Sequence, residues 1–153
     1  MPLKIVLKNG EKIIINGAVL QNIGGAAKAL ILNEAAVLRE KDIMQEEDAT
    51  SPAKRIYFYL MLMYLDQENY QVYYSSFMDR MLDVMGVTTM QAVRNNLMII
   101  FENVQQRRFY PALKACKALI QFEAELLPED GQPMASNASG ASASKPAVAQ
   151  KSI

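Results

Sequence analysis

Few side chains in this 153-residue sequence are suited to chemistry. Asp79 and Asp83 stand four apart, which puts both carboxylates on one face of a helix, where acids can bind a metal ion or move a proton. The helical di-metal pattern also needs a Glu-x-x-His pair, and the sequence has no histidine. Two solvated acids beside Arg80 are the reading that remains. Cys116, the one cysteine, lies on an apolar helical stripe with no general base in view, and reads as a buried, inert thiol. Gly24-Gly25 joins two strands, whereas a phosphate-binding fingerprint joins a strand to a helix. Lack of histidine removes Ser-His-Asp and Cys-His catalysis and His-ligated zinc. One cysteine removes an internal disulfide, CxxC and an all-cysteine zinc site. No catalytic residue, metal or cofactor is therefore expected, and the chain does not read as an enzyme.

The basic residues of the first 45 positions are better candidates. They are Lys4, Lys8, Lys12, Lys28, Arg39 and Lys41, against Glu11, Glu34, Glu40 and Asp42. Lys4 and Lys8 share a strand face, and Arg39 and Lys41 are expected to share another. If these strands are neighbours, the four form a stripe able to track a phosphate backbone. Ordinary edge lysines that discourage aggregation explain them equally well. Lys+Arg and Asp+Glu are 16 each over the whole chain, so any nucleic-acid site must be small, local and on this segment. Arg107-Arg108 is a weaker basic spot.

Eight of the twelve aromatics lie between Tyr57 and Phe77, and seven of the ten methionines between Met61 and Met98. Their helical spacing favours core filling. Six tyrosines in this stretch cannot all bury their hydroxyls cheaply. Tyr57, Tyr64, Tyr70 and Tyr73 are accordingly candidates for a surface that takes a partner helix.

Two kinds of element must position these residues. Leu3–Lys8, Glu11–Ile15, Ala18–Ile23, Lys28–Leu32 and Ala36–Glu40 read as short strands, separated by Asn9-Gly10, Asn16-Gly17 and Gly24-Gly25. The expectation is a small antiparallel sheet or half-barrel over residues 1–45, too small to stand alone. From Ser51-Pro52 onward the texture is helical, with Ser as cap and Pro at the first position. Four helices are expected, at Pro52–Leu65, Gln67–Met85 (stopped by Gly86), from Thr88 or Thr89 to about Val104, and Phe109–Leu127. The fold class is thus α+β, a β unit followed by a compact four-helix bundle over 51–127. Residues 128–153, rich in Ala, Ser and Pro, read as a disordered tail. The longest apolar run, Ile56–Leu65, is too short for a bilayer. With no signal peptide and one free cysteine, a cytoplasmic protein is expected.

The ordered set Met1–Lys12, Ile15–Asn22, Val37–Met44, Ser51–Phe58 and Met63–Leu65, continuing through Phe77, Met85-Gly86 and Tyr110–Glu123, resembles the FlbT family. That resemblance implies a regulator of flagellin synthesis in alphaproteobacteria. It would associate with the 5′ untranslated leader of flagellin messenger RNA, repress translation and hasten decay of the message. The small helical protein FlaF and flagellin itself are the protein partners it implies.

Locally, Leu3–Glu11 and Val37–Ile43 also resemble the first and last strands of the carbon storage regulators, small all-β RNA-binding proteins. By position Arg39 matches their key arginine and Lys8 a basic residue at the end of the first strand, whereas Leu7 departs from their pattern. Only Lys28 is basic in the Ile23–Lys28 turn, a departure from FlbT-like chains. The alternative to RNA binding is an adaptor whose helices bind flagellin or FlaF, with indirect effects on RNA. Oligomeric state stays open, although an exposed small sheet gains from a self-pairing edge.

Overall fold

A computed structural model describes residues 2–126. The five strands are β1 (Leu3–Leu7), β2 (Lys12–Ile15), β3 (Ala18–Gln21), β4 (Ala27–Ile31) and β5 (Val37–Arg39). The helices are α1 (Pro52–Leu65), α2 (Gln71–Val87), α3 (Gln91–Gln105) and α4 (Phe109–Leu126), with short 3-10 turns at Glu40–Asp42, Glu46–Asp48 and Gln67–Asn69. The expected α+β class is what the structure has, with all pairing antiparallel. Leu127 and the expected tail at 128–153 lie outside the described residues. Within them, no helix is long and apolar enough to cross a membrane.

Strand pairing departs from the simple meander that the turn signals suggest. The strands form a two-stranded ribbon, β1-β4, and a three-stranded sheet in the order β3-β2-β5. Asn16-Gly17 makes the expected tight hairpin between β2 and β3, with φ of 50° and 87°, the two left-handed residues a type I′ turn needs. At Asn9-Gly10 only Gly10 is left-handed, at φ 83°. The turn closes from Glu11 N–H to the Lys8 carbonyl at 3.0 Å, but β1 and β2 do not pair. One left-handed residue gives the type II pattern, which splays the flanking strands. Long-range bonds then capture the end of β1. Arg39 Nη2 donates to the Val6 carbonyl at 2.6 Å, and Asn22 Nδ2 to the Leu7 carbonyl at 3.1 Å.

Sequence alternation fixes the faces of the sheet. On β2, Ile14 faces the helices and joins their core together with Ala36 and Leu38. Ile13 faces the other way, opposite Arg39 in register, and is buried outside that core, as is Ile5 of the ribbon. Arg39 clasps ribbon to sheet. Its Nη2 also donates to Glu11 Oε2 at 3.0 Å, while Glu11 Oε1 accepts from the Lys8 N–H at 2.9 Å. The Lys8 amide first, and then the Arg39 side chain, hold the Glu11 carboxyl below its ordinary value of 4.5.

Helix α1 is the spine, packed on both α2 and α4. Ile56, Leu60 and Met63 are fully buried, with Tyr57, Met61 and Tyr64 nearly so, so this helix is apolar on most of its faces. Its N-terminus carries two caps. Ser51 Oγ accepts from the Lys54 N–H at 3.3 Å and donates to Glu123 Oε1. Glu123 Oε2 accepts from the Ala53 N–H at 3.1 Å. A carboxylate from the far end of α4 therefore sits at the positive end of α1's dipole. Cys116 is buried against the same segment, its Sγ donating to the Ala53 carbonyl at 3.5 Å. Burial pushes its thiol up, which fits an unreactive side chain.

Two helix ends differ from expectation. Residues 67–69 form a 3-10 turn before α2 begins at Gln71. At the other end α2 runs through Gly86 to Val87, so Gly86 is not the stop. Thr88 turns extended there, its Oγ1 accepts from the Met90 N–H, and Arg94 Nη2 takes its carbonyl at 2.9 Å. The α3 end closes by a Schellman pattern, Arg108 N–H to the Asn103 carbonyl and Arg107 N–H to Val104. Arg107 occupies the left-handed position normally given to glycine, at φ 62°. Its guanidinium lies 4.1 Å over the Tyr70 ring, a contact that offsets part of that strain.

Two outcomes are expected. Glu123→Ala leaves the Ser51 cap on Lys54 but removes the carboxylate that accepts from the Ala53 N–H and the Ser51 hydroxyl, and should lower unfolding free energy by about 2 kcal/mol in urea titrations, with Glu123→Gln recovering part of it. Because folding lowers the Glu11 pKa, its contribution exists above 4.5 and disappears as pH falls below that value. The stability gap between wild type and Glu11→Gln, read as urea midpoints, should therefore be larger at about pH 6 than at about pH 3.5.

Candidate nucleic-acid interface

The six basic candidates divide into three groups. Lys8, Arg39 and Lys41 line one open cleft of about 630 Å³, together with Asn9, Gly10, Glu11 and Glu40. Lys4 and Lys28 lie on one face of the ribbon, with Lys4 opposite Leu30 and Lys28 opposite Val6. Lys12, exposed, starts β2.

The expected single stripe does not form. β1 and β5 belong to different sheets. The last strand ends at Arg39, and Lys41 rides on the Glu40–Asp42 turn, so these two do not share a strand face. Lys8, Arg39 and Lys41 meet instead because the Lys8–Glu11 turn folds against the end of β5.

The cleft's acids are occupied by the protein itself. Glu11 is held by Arg39 and the Lys8 amide, and Glu40 Oε1 accepts from the Lys12 N–H at 2.6 Å. Lys8 and Lys41 are exposed, and among the described residues no carboxylate lies within ion-pair distance of either ammonium. The cleft thus has two cations with their charge turned to solvent, and a third, Arg39, committed to holding the β unit together. Such an arrangement can take a phosphate or another anion by charge. It holds no nucleophile with a base and no set of metal ligands. Among the described residues no group of three carboxylates or thiols can hold an ion. Asp79 and Asp83 are exposed, with Asp83 Oδ2 3.2 Å from Arg80 Nη2.

Asn22 builds the floor of this region, a role the sequence reading did not give it. Its backbone bonds to Gly10 and Glu11 in both directions, at 2.6 and 2.9 Å. Its Nδ2 faces the carbonyls of Leu7, Lys8 and Gly25, and its Oδ1 accepts from the Gly24 N–H at 3.1 Å. The signal in the sequence was Asn two residues before Gly24, the spacing of an Asx turn.

The four candidate tyrosines do not make a surface. Tyr57 is buried and donates to the Asp42 carbonyl at 2.7 Å. Tyr64 is buried, and its hydroxyl both accepts from the Val37 N–H at 2.9 Å and donates to the Val37 carbonyl at 3.0 Å. Burial raises the pKa of both. Tyr70 and Tyr73 are half-buried against the core, Tyr70 between Phe109, Tyr74 and Arg107. The hydroxyls of Tyr57 and Tyr64 are satisfied by strand and linker backbone, which is how they can be buried at low cost. The apolar surface open to a helix is elsewhere, a groove of about 430 Å³ between Val87, Met90, Val93, Leu119, Phe122 and Leu126.

Comparison with known proteins covers the same part of the chain. The family model described as "Flagellar protein FlbT" matches residues 3–127. The flagellum biosynthesis repressor protein FlbT of Caulobacter vibrioides is 43% identical over 127 residues, which is 83% of this chain and 90% of that one. A relative in Caulobacter sp. (strain K31), named "Probable flagellum biosynthesis repressor protein FlbT", is 45% identical over 127 residues, 83% of this chain and 97% of its own. A FlbT relative in Rhodopseudomonas palustris is 34% identical over 131 residues, covering 83% and 98%. No solved structure matches, and the likeness to the carbon storage regulators finds no support in the two separate sheets. The match to the family model takes in both sheets and all four helices, and with relatives at this identity and coverage the chain belongs to the FlbT family.

Proposed function

We propose that this protein represses flagellar synthesis after transcription, by binding the 5′ leader of flagellin messenger RNA through the Lys8–Arg39–Lys41 cleft. The repressor role rests on relatives that carry that name and cover the whole described fold. The cleft is the one observation that favours RNA as the target. Two exposed ammonium groups stand beside a guanidinium, while the neighbouring acids Glu11 and Glu40 are hydrogen-bonded to the protein's own backbone and to Arg39. Lys4 and Lys28 are two further exposed cations of the β unit, on one face of the ribbon. An open cleft with few cations suits a single-stranded loop, whose bases and phosphates are both reachable. Repression is then by occupancy. The bound protein denies the leader to the ribosome or leaves it to cellular nucleases, and needs no reaction of its own.

A second reading has its own observation. The apolar groove at the α2-α3-α4 end fits an amphipathic helix, and flagellin or a FlaF-like protein would be the occupant. In that case the effect on the message is indirect.

A gel-shift titration of purified protein on flagellin leader RNA, across a salt series, separates the two. Direct contact predicts a shift that weakens with salt. Lys8→Ala with Lys41→Ala should weaken binding roughly tenfold and reduce the salt slope by about 2, with circular dichroism unchanged. Arg39→Ala is expected to loosen the ribbon as well, so it is not the diagnostic variant. No shift at low salt, with flagellin or FlaF recovered in a pull-down that Phe122→Lys abolishes, overturns the RNA reading in favour of the groove.

A further inference from the structure

The ribbon β1-β4 is out of keeping with the rest of the fold. A two-stranded ribbon is marginal in water unless a third strand or a helix supports it. This one pairs with nothing beyond itself among the described residues, and its contacts with the body are few. β4 has no buried residue, and neither does β3. From Asn16 to Leu32 every residue is exposed except Asn22 and Ile31, which are half-buried. On the ribbon, Leu3 is 46% exposed, Val6 45% and Leu30 56%, with Leu32 just beyond it at 69%. Apolar strands with no buried face are a hazard that folded proteins normally cover.

The two edges of the ribbon are not equivalent. At β1, the carbonyls of Val6 and Leu7 are taken by Arg39 and Asn22. At β4, no hydrogen bond among the described residues reaches the backbone from any element but β1. The free edge is therefore that of β4.

We infer that the protein is a homodimer in which β4 pairs antiparallel with β4 of a second copy, making a four-stranded sheet in the order β1-β4-β4-β1. A second copy is the occupant the chemistry selects. With a two-fold axis through the paired Ala29 residues, Lys28 stands opposite Leu30 of the partner subunit, so no like charges are directly apposed. The methylene stem of Lys28 then covers the leucine while its ammonium stays in water. The same axis sets Ala27 opposite Ile31 of the partner subunit, which continues the apolar face of Leu3, Ile5 and Leu7 across the junction. Four strands pass the number at which a sheet stands by itself in water. The inference does not depend on what the cleft binds.

Sedimentation equilibrium on the full chain tests it. A mass twice the monomer's 17.1 kDa is expected for the wild type. Leu30→Lys in a Lys4→Gln background should be a monomer, because the substitution sets an ammonium group against Lys28 of the partner subunit at both ends of the junction, while Lys4→Gln removes the like charge that position 30 would face within its own ribbon. That variant changes only exposed positions, so circular dichroism should be unchanged and the dimer dissociation constant raised about tenfold or more. Ala29→Cys supplies the register. Paired residues in an antiparallel sheet stand about 4.5–5.5 Å apart at Cα, within disulfide reach. Mild oxidation should link two chains through position 29, while Ala18→Cys on β3 should not link. Cys116 is buried and does not compete. A monomeric wild type overturns the proposal. So does a dimer that survives Leu30→Lys with Lys4→Gln, or one that Ala29→Cys fails to link.

Discussion

The Tyr64 hydroxyl holds the β unit to the helices. It sits on the last full turn of α1 and makes two hydrogen bonds to one residue, accepting the Val37 N–H and donating to the Val37 carbonyl. That residue begins β5, the strand that carries Leu38 into the core and Arg39 to the cleft. Two turns earlier on the same helix face, Tyr57 bonds the Asp42 carbonyl, and Met61 Sδ takes the Met44 N–H between them. Lys117 of α4 pairs with Asp42 from the other side. The segment from Val37 to Met44 is therefore sewn to α1 along its length, so the position of the cleft is set by the helical core. Losing the Tyr64 hydroxyl would leave a half-buried strand amide and carbonyl unpaired, the more expensive half of a broken hydrogen bond.

Much of this was legible from residue order. The five strands follow from β-branched runs between turn residues, and Asn16-Gly17 adopts the hairpin geometry its composition requires. The Tyr and Met cluster is core at helical spacing: Tyr57, Met61, Met63, Tyr64, Phe77 and Met81 are all buried. What local reading missed came from distant partners. Asn9-Gly10 reads as a hairpin because nothing nearby shows that Arg39 and Asn22 will claim the carbonyls of Val6 and Leu7. The tyrosines read as surface candidates because their hydroxyls need partners, and those partners are backbone groups 15 and 27 residues away. Arg107 reads as a free cation because no glycine marks the α3 end it closes.

The balance of charge has a similar explanation. Equal numbers of acids and bases say little about a site where Glu11 and Glu40 spend their charge on backbone amides and Arg39. Arg39 itself, the residue that local likeness marks most strongly for RNA, is the most committed of the cations. In the proposed RNA reading, contact with phosphate falls to the lysines around it, whose ammonium groups are free to move and to exchange partners.

Glu123 also bears on the order in which the chain can fold as it is made. Its carboxylate completes the start of α1 from 72 and 70 residues downstream. When the spine helix leaves the ribosome, its first turn still lacks the oxygens that finish it. The β unit can dock on α1 early through Tyr64 and Ser51 can cap Lys54 at once, but the second cap, on Ala53, forms only once α4 has been synthesised nearly to its end. Completion of the fold is thereby tied to the last helix, and a chain cut short before residue 123 keeps the Ser51 cap but leaves the Ala53 amide at the start of α1 without its carboxylate.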